Sequence, residues 1–195
     1  MRALYFAATF VVLFFLHYTF LAAVDALPEP VRGVTVSGGA YSGEVSVENP
    51  EAPLRIVAST VDIDAPVENP DSTDIATLDE ALLLGAVRYP NSAVLGQEGT
   101  VLIFGHSSYL PVVYNRAYKA FNGIQNLKTG DIITVSSVST QYRYRVTGVR
   151  QADASEDVVE LPAAGRHLAL VTCDSFGRKT DRFIVTADFV ETAPL

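Results

Sequence analysis

Leu168-Ala169-Leu170-Val171-Thr172-Cys173-Asp174 reads as an apolar strand that ends in the only cysteine of the chain. A polar stretch, Asp174–Asp181, follows it, and Arg182 then opens a second apolar run that includes Phe183–Val190. If the two runs pair through that connection, Arg182 returns beside Cys173. Side chains alternate across a strand, so Arg182 shares a face with Ile184 and Thr186, opposite Phe183 and Val185. The apolar set belongs inside, which leaves Arg182 on the outer face. A thiol at a strand end, with cations able to approach, can be pushed toward thiolate, the nucleophilic form.

Working outward, the chain reads as many short strands separated by turns. Val61, Ile63 and Ala65 alternate with Asp62 and Asp64, as in a half-buried strand. Thr100-Val101-Leu102-Ile103-Phe104 is a continuous apolar run, the pattern of a buried strand, and it ends at Gly105-His106-Ser107-Ser108. Ile132–Val138 and Gln141–Val149 form a further pair, and Val158–Leu161 is a short candidate strand. Thr77–Gly85 predicts a helix with Thr77 as N-cap, Glu80 three residues on and Gly85 as its stop. Tyr114–Phe121 predicts a helical turn or two. The pattern is that of an all-β sandwich or barrel with short helices in its connections.

The N-terminus is of another kind. Ala3–Val24 holds no charged residue, and as a helix its 22 residues would span about 33 Å, enough for the hydrocarbon core of a bilayer. Arg2 precedes it while Asp25 and Glu29 follow, so the body of the protein is expected outside the cytoplasm. A cleaved signal peptide is the rival, with Val24-Asp25-Ala26 as the cut, although the apolar run exceeds the usual signal core. The expected organisation is a transmembrane helix within an anchor over 1–26, a Pro/Gly-rich linker over 27–53 and one domain over 54–195.

Removing Arg2 from the 14 basic residues leaves 13 against 22 acids, a net charge of −9 for the remainder. A nucleic-acid partner would call for a basic face, so none is expected. The odd thiol of an exported protein is either an intermolecular link or a reactive group. Asp62, Asp64, Asp71 and Asp74 lack the spacing of a calcium loop, and no metal or cofactor is expected.

A cysteine nucleophile needs a base or cationic partner, and amide cleavage needs a donor for the oxyanion. Of three histidines, His17 lies in the apolar segment. His167 sits six residues before Cys173 on the same strand, about 20 Å away at ~3.3 Å per residue. His106 remains; like Cys173 it ends a strand, and two groups at one rim can meet despite their separation in sequence. Arg182 cannot act as a base, but its guanidinium can give two hydrogen bonds to a carbonyl or oxyanion. Singly, each residue has a plain structural explanation: a buried small side chain, a polar turn residue, a solvated cation. Together at strand ends they point to chemistry.

The same residues carry a resemblance. Leu170-Val171-Thr172-Cys173 with Arg182 resembles the signature of sortases, the membrane-anchored cysteine transpeptidases of bacterial surfaces. Phe104-Gly105-His106-Ser107-Ser108 resembles their histidine segment, Ile63-Asp64-Ala65-Pro66-Val67 their first-strand motif, and Gln125–Asp131 the segment that introduces their central strands. The likeness runs in order over roughly 54–190. It implies a closed eight-stranded β-barrel with Cys173, His106 and Arg182 as catalytic residues and Thr172 lining the substrate pocket. It further implies a thiol peptidase and transpeptidase that cleaves the C-terminal sorting signal of surface proteins at a Thr–Gly-like bond. The acyl product would pass through a thioacyl enzyme to a cell-wall or pilin amine, or more slowly to water.

The connection Asp174–Asp181 is short and no C-terminal helix is appended, which leaves the subclass open. Leu161-Pro162-Ala163-Ala164-Gly165 superficially resembles a sorting signal, but without an apolar segment and basic tail after it the stretch reads as a turn. Two rivals stand beside this reading. One is a cell-wall L,D-transpeptidase, in which histidine and cysteine lie close together in sequence. The other is a non-catalytic anchored β-domain, an adhesin or interaction module.

Overall fold

A computed structural model describes Leu13 and residues 50–108, 110–153, 161–175 and 178–195, with the main chain alone at 153, 173–175 and 178–181. Eight strands follow in order: β1 (Arg55–Ala58), β2 (Ile63–Glu68), β3 (Ala86–Arg88), β4 (Gly99–Phe104), β5 (Ile132–Ser136), β6 (Thr140–Asp153), β7 (Arg166–Ser175) and β8 (Arg178–Pro194). One helix, α1 (Ile75–Leu82), lies between β2 and β3. The strands close into a barrel in the order β1-β2-β3-β4-β7-β8-β6-β5, with β5 pairing back onto β1. Closure leaves no open sheet edge among the described residues.

The barrel core follows from alternation. In β2, Ile63, Ala65 and Val67 are buried while Asp64 and Pro66 are exposed. Ile56, Ile103, Ile133, Val135, Tyr144, Leu170 and Val185 meet in the same interior, and Phe121, from the β4–β5 connection, is fully buried against them. The outer face of β4, β7 and β8 is also covered. Leu102, Ala169, Val171 and Ile184 form a second cluster there, against Tyr89, Phe104 and Leu161. Strands buried on both faces read as continuous apolar runs, which explains Thr100–Phe104. Arg182 does share the outer face with Ile184, as alternation predicts, yet that face is apolar rather than wholly polar.

Three local expectations are corrected. The helix begins at Ile75, and its N-cap is Asp74 rather than Thr77: the Asp74 carboxylate accepts from the backbone N–H of Ala76 (3.1 Å) and Thr77 (3.4 Å). An ionised carboxylate satisfying two free amides outcompetes a hydroxyl three residues later. The helix ends at Leu82, and Gly85 is not its stop: a Cβ there would stand 2.5 Å from the Pro66 carbonyl oxygen, so glycine is required where β3 enters beside β2. The polar connection Asp174–Asp181 is largely ladder, since pairing continues to Ser175↔Arg178.

The Tyr114–Phe121 turn is a 3-10 helix over Arg116–Lys119. Of the expected strand Val158–Leu161, residues 158–160 lie outside the described residues and Leu161 is in no strand. The expected anchor lies outside them too, apart from Leu13, and among the described residues no helix is long and apolar enough to cross a membrane. At the N-terminal side, Glu51 forms a bridge with Leu95, ahead of β1.

Candidate active site

The parallel pairing of β4 with β7 sets the geometry. Gly99 faces Arg166 and Phe104 faces Val171, a constant offset of 67 residues, and the bond from Gly105 N to the Val171 oxygen (3.2 Å) carries it past the strand end. The same offset separates His106 from Cys173. On the other side of β7, Cys173 pairs with Arg182 of β8, and a register shift follows between Cys173 and Ser175. Irregularities of this kind re-aim side chains at sheet rims. Three neighbouring strands thus bring His106, Cys173 and Arg182 to one stretch of the barrel wall. His167 is placed elsewhere: it pairs across from Thr100 near the start of β4, with Nδ1 2.8 Å from Asp188 Oδ1 and Nε2 2.8 Å from the Ala164 oxygen.

A cleft of about 260 Å³ opens over this stretch. Leu102, Phe104, Val171 and Tyr89, part of the outer apolar cluster, form its floor. Ile75, Leu78, Asp79 and Leu82 of α1 form one wall, and His106, Thr172 and Arg182 complete it. Thr172 is buried at 4% exposure, consistent with a lining residue. The amphipathic α1 therefore turns apolar residues toward a space that the barrel itself does not fill.

The segment bearing His106 is fixed by its backbone. Phe121 N donates to the His106 carbonyl at 2.9 Å. Two residues on, Asn122 Oδ1 accepts from Ser108 N and Asn122 Nδ2 donates to the Ser108 oxygen, both at 2.7 Å. A Cβ on Gly105 would meet the Phe121 ring at 3.1 Å, so the glycine allows that ring to press beneath the histidine segment. The imidazole rests against Tyr118, with ring centroids 5.2 Å apart. Burial lowers the His106 pKa below the ordinary imidazole value, and the carboxylate of Asp79 partly opposes this. A half-buried, partly desolvated imidazole of this kind favours the neutral form.

Every predicted site residue thus lies at this rim: His106, Thr172 and Arg182 line the cleft, and Cys173 joins them through its pairing with Arg182. Sequence reasoning missed Asp79, Tyr118 and Asn122. The α1 periodicity announced an apolar face, but the surface it would cover depends on how the β2–β3 crossover lands. Among the described residues no cluster of three or more His, Cys, Asp or Glu is arranged to hold a metal ion. Asp64 is instead engaged by Arg55, and Asp74 caps α1.

Comparison with known proteins agrees with this architecture. A model of the sortase domain matches residues 56–190. Sortase A of Bacillus anthracis is 27% identical over 138 residues, which is 71% of this chain and 60% of that protein; the chain thus spans about 60% of the length of this relative. Among solved structures, sortase A of Listeria monocytogenes superposes with a TM-score of 0.57 at 24% identity, covering 74% of this chain and 92% of the other. A mutant of sortase E from Streptomyces avermitilis does so with a TM-score of 0.55 at 26% identity, covering 73% and 91%. The barrel order and the domain match over nearly all of it lead to one conclusion: the chain belongs to the sortase family.

Proposed function

We propose that this protein is a cysteine transpeptidase, with Cys173 as nucleophile, His106 as proton carrier and Arg182 as donor to the substrate carbonyl and oxyanion. The observation that carries the reading is the register: the parallel ladder, which ends with Phe104 opposite Val171, brings His106 and Cys173 to one rim, and the antiparallel ladder pairs Cys173 with Arg182. His106, neutral at rest, takes the proton of the Cys173 thiol, and the resulting thiolate attacks the carbonyl carbon of a Thr–Gly-like bond. A C–S bond forms, the C–N bond breaks, and His106 gives its proton to the leaving amine. An acceptor amine then attacks the thioester, forming a new C–N bond; the sulfur leaves as thiolate and His106 takes the proton. Water in place of the amine gives hydrolysis. Thr172 and the apolar floor hold the acyl portion.

The donors are surface proteins bearing a C-terminal sorting signal, and the acceptor is a cell-wall precursor or pilin amine. Residues 1–26 anchor the enzyme in the membrane as a single pass with the amino terminus cytoplasmic, 27–53 serve as a linker, and 54–195 form the catalytic barrel outside. Membership of the sortase family and the mixed apolar and cationic lining of the cleft support this reading. The test is incubation of the protein with a peptide library containing Thr–Gly and related bonds, followed by intact-mass analysis. A thioacyl adduct on the wild type and none on Cys173→Ala is expected; a library that yields no adduct and no cleavage would contradict the assignment and favour a non-catalytic β-domain.

A further inference from the structure

We infer that Asp79 of α1 is the docking point for the positively charged acceptor amine, and so a specificity-determining residue for the second half of the reaction. The inference rests on the transpeptidase reading above. Asp79 is the single carboxylate lining the described part of a mainly apolar cleft that also holds His106 and Arg182. It is exposed and has no hydrogen-bond or ion-pair partner among the described residues. Its neighbour in kind, Asp74, is committed to capping the helix. Asp79 is therefore free for a ligand while its helix is held in place.

Topology puts the two cleft charges on opposite flanks. Along the barrel wall the order is β3, β4, β7, β8, with α1 packed on β3 and Arg182 on β8. His106, which follows β4, and Cys173 of β7 belong to the two strands between them. An acyl carbonyl, which accepts hydrogen bonds, belongs on the Arg182 side. An ammonium belongs on the Asp79 side, next to the neutral imidazole that must take its proton. The electrostatic influence of Asp79 on His106 is evidence of that proximity. In the transfer itself the docked ammonium releases one proton to solvent. The free amine then attacks the thioester carbon, the C–N bond forms as the C–S bond breaks, and the second proton passes to His106. Sulfur leaves as thiolate, so charge and protons balance.

The experiment measures how the thioacyl enzyme partitions between amine and water, using the full chain and a donor peptide selected from the library. Glycinamide serves as a mostly cationic acceptor at neutral pH, and hydroxylamine as an uncharged one. Because any effect of Asp79 on His106 enters both aminolysis and hydrolysis, their ratio isolates acceptor docking. For glycinamide, Asp79→Asn should lower that ratio about three- to fivefold, the size of an exposed charge pair. Asp79→Glu should restore most of it, and high salt should erase the difference between wild type and Asp79→Asn. With hydroxylamine the ratio should stay the same. An unchanged ratio with glycinamide, or an equal fall with hydroxylamine, would overturn the inference while leaving the transpeptidase standing. Absence of any thioacyl enzyme would overturn both.

Discussion

In the proposed mechanism His106 changes its protonation state, and its surroundings set the starting form. Half-buried beside Tyr118, it is held below the ordinary imidazole value by desolvation, with Asp79 as the opposing charge. Since its pKa in the folded state lies below that of the unfolded chain, near 6.5, acid favours unfolding through this residue. Its contribution to stability is fully present above that value and is lost as pH falls through the folded one. A two-dimensional NMR titration should therefore find His106 titrating below an ordinary histidine, and lower still in Asp79→Asn. A rise in that variant would contradict the assigned polarity. At Arg182 the planar fork, not the charge alone, is the expected asset. Arg182→Lys should lose on the order of 100- to 1000-fold in single-turnover acylation, about 3–4 kcal/mol, nearly as much as Arg182→Ala. Near-wild-type acylation by the lysine variant would reduce Arg182 to a point charge.

At the scale of elements, α1 and its two connections decide whether the cleft exists. The Asp74 cap fixes where the helix starts, and Gly85 lets the chain pass the Pro66 backbone on its way into β3. Gly85→Ala puts a methyl 2.5 Å from a carbonyl oxygen, so the backbone has to shift, at a cost of about 1–3 kcal/mol. A lower urea midpoint together with slower acylation is the expected result. An unchanged midpoint would mean that the crossover is looser than its packing implies. The helix was legible in the sequence but its start was not. Thr77 with Glu80 matched a capping pair, while Asp74, three residues earlier, offered the stronger acceptor. The strands were legible for a simpler reason: β2 alternates, and Val101–Phe104 of β4 and Leu168–Val171 of β7 are unbroken apolar runs because both of their faces are covered. What periodicity could not give was the cleft wall, since the landing place of α1 depends on contacts distant in sequence.

For the molecule as a whole, the barrel turns sequence distance into proximity. His106 and Cys173 come to the same end of the barrel wall because β4 and β7 run parallel at a fixed offset, and Arg182 joins through the β7–β8 ladder. The pairing of Cys173 with Arg182 was readable from the two apolar runs and the connection between them; the parallel register of β4 with β7, which brings in His106, was not readable from any local pattern. Their common rim also lies at the end of β4 away from the Glu51–Leu95 bridge, where the N-terminal segment joins the barrel. The proposed anchor over 1–26 is testable apart from the site. Full-length protein should fractionate with membranes, and deletion of 1–26 should release a soluble, active domain. Recovery of a mature chain beginning at Leu27 would instead identify the segment as a cleaved signal.

The central claim is that one thiol, set in register with His106 and Arg182, carries the acyl group. Acid quenching of the enzyme during turnover, followed by proteolysis and mass mapping of the acyl label, tests it most directly. The label is expected on the peptide containing Cys173 and absent from Cys173→Ala, whose thermal unfolding should match the wild type. Donor cleavage persisting in the alanine variant, or a label on any other residue, would contradict the mechanism.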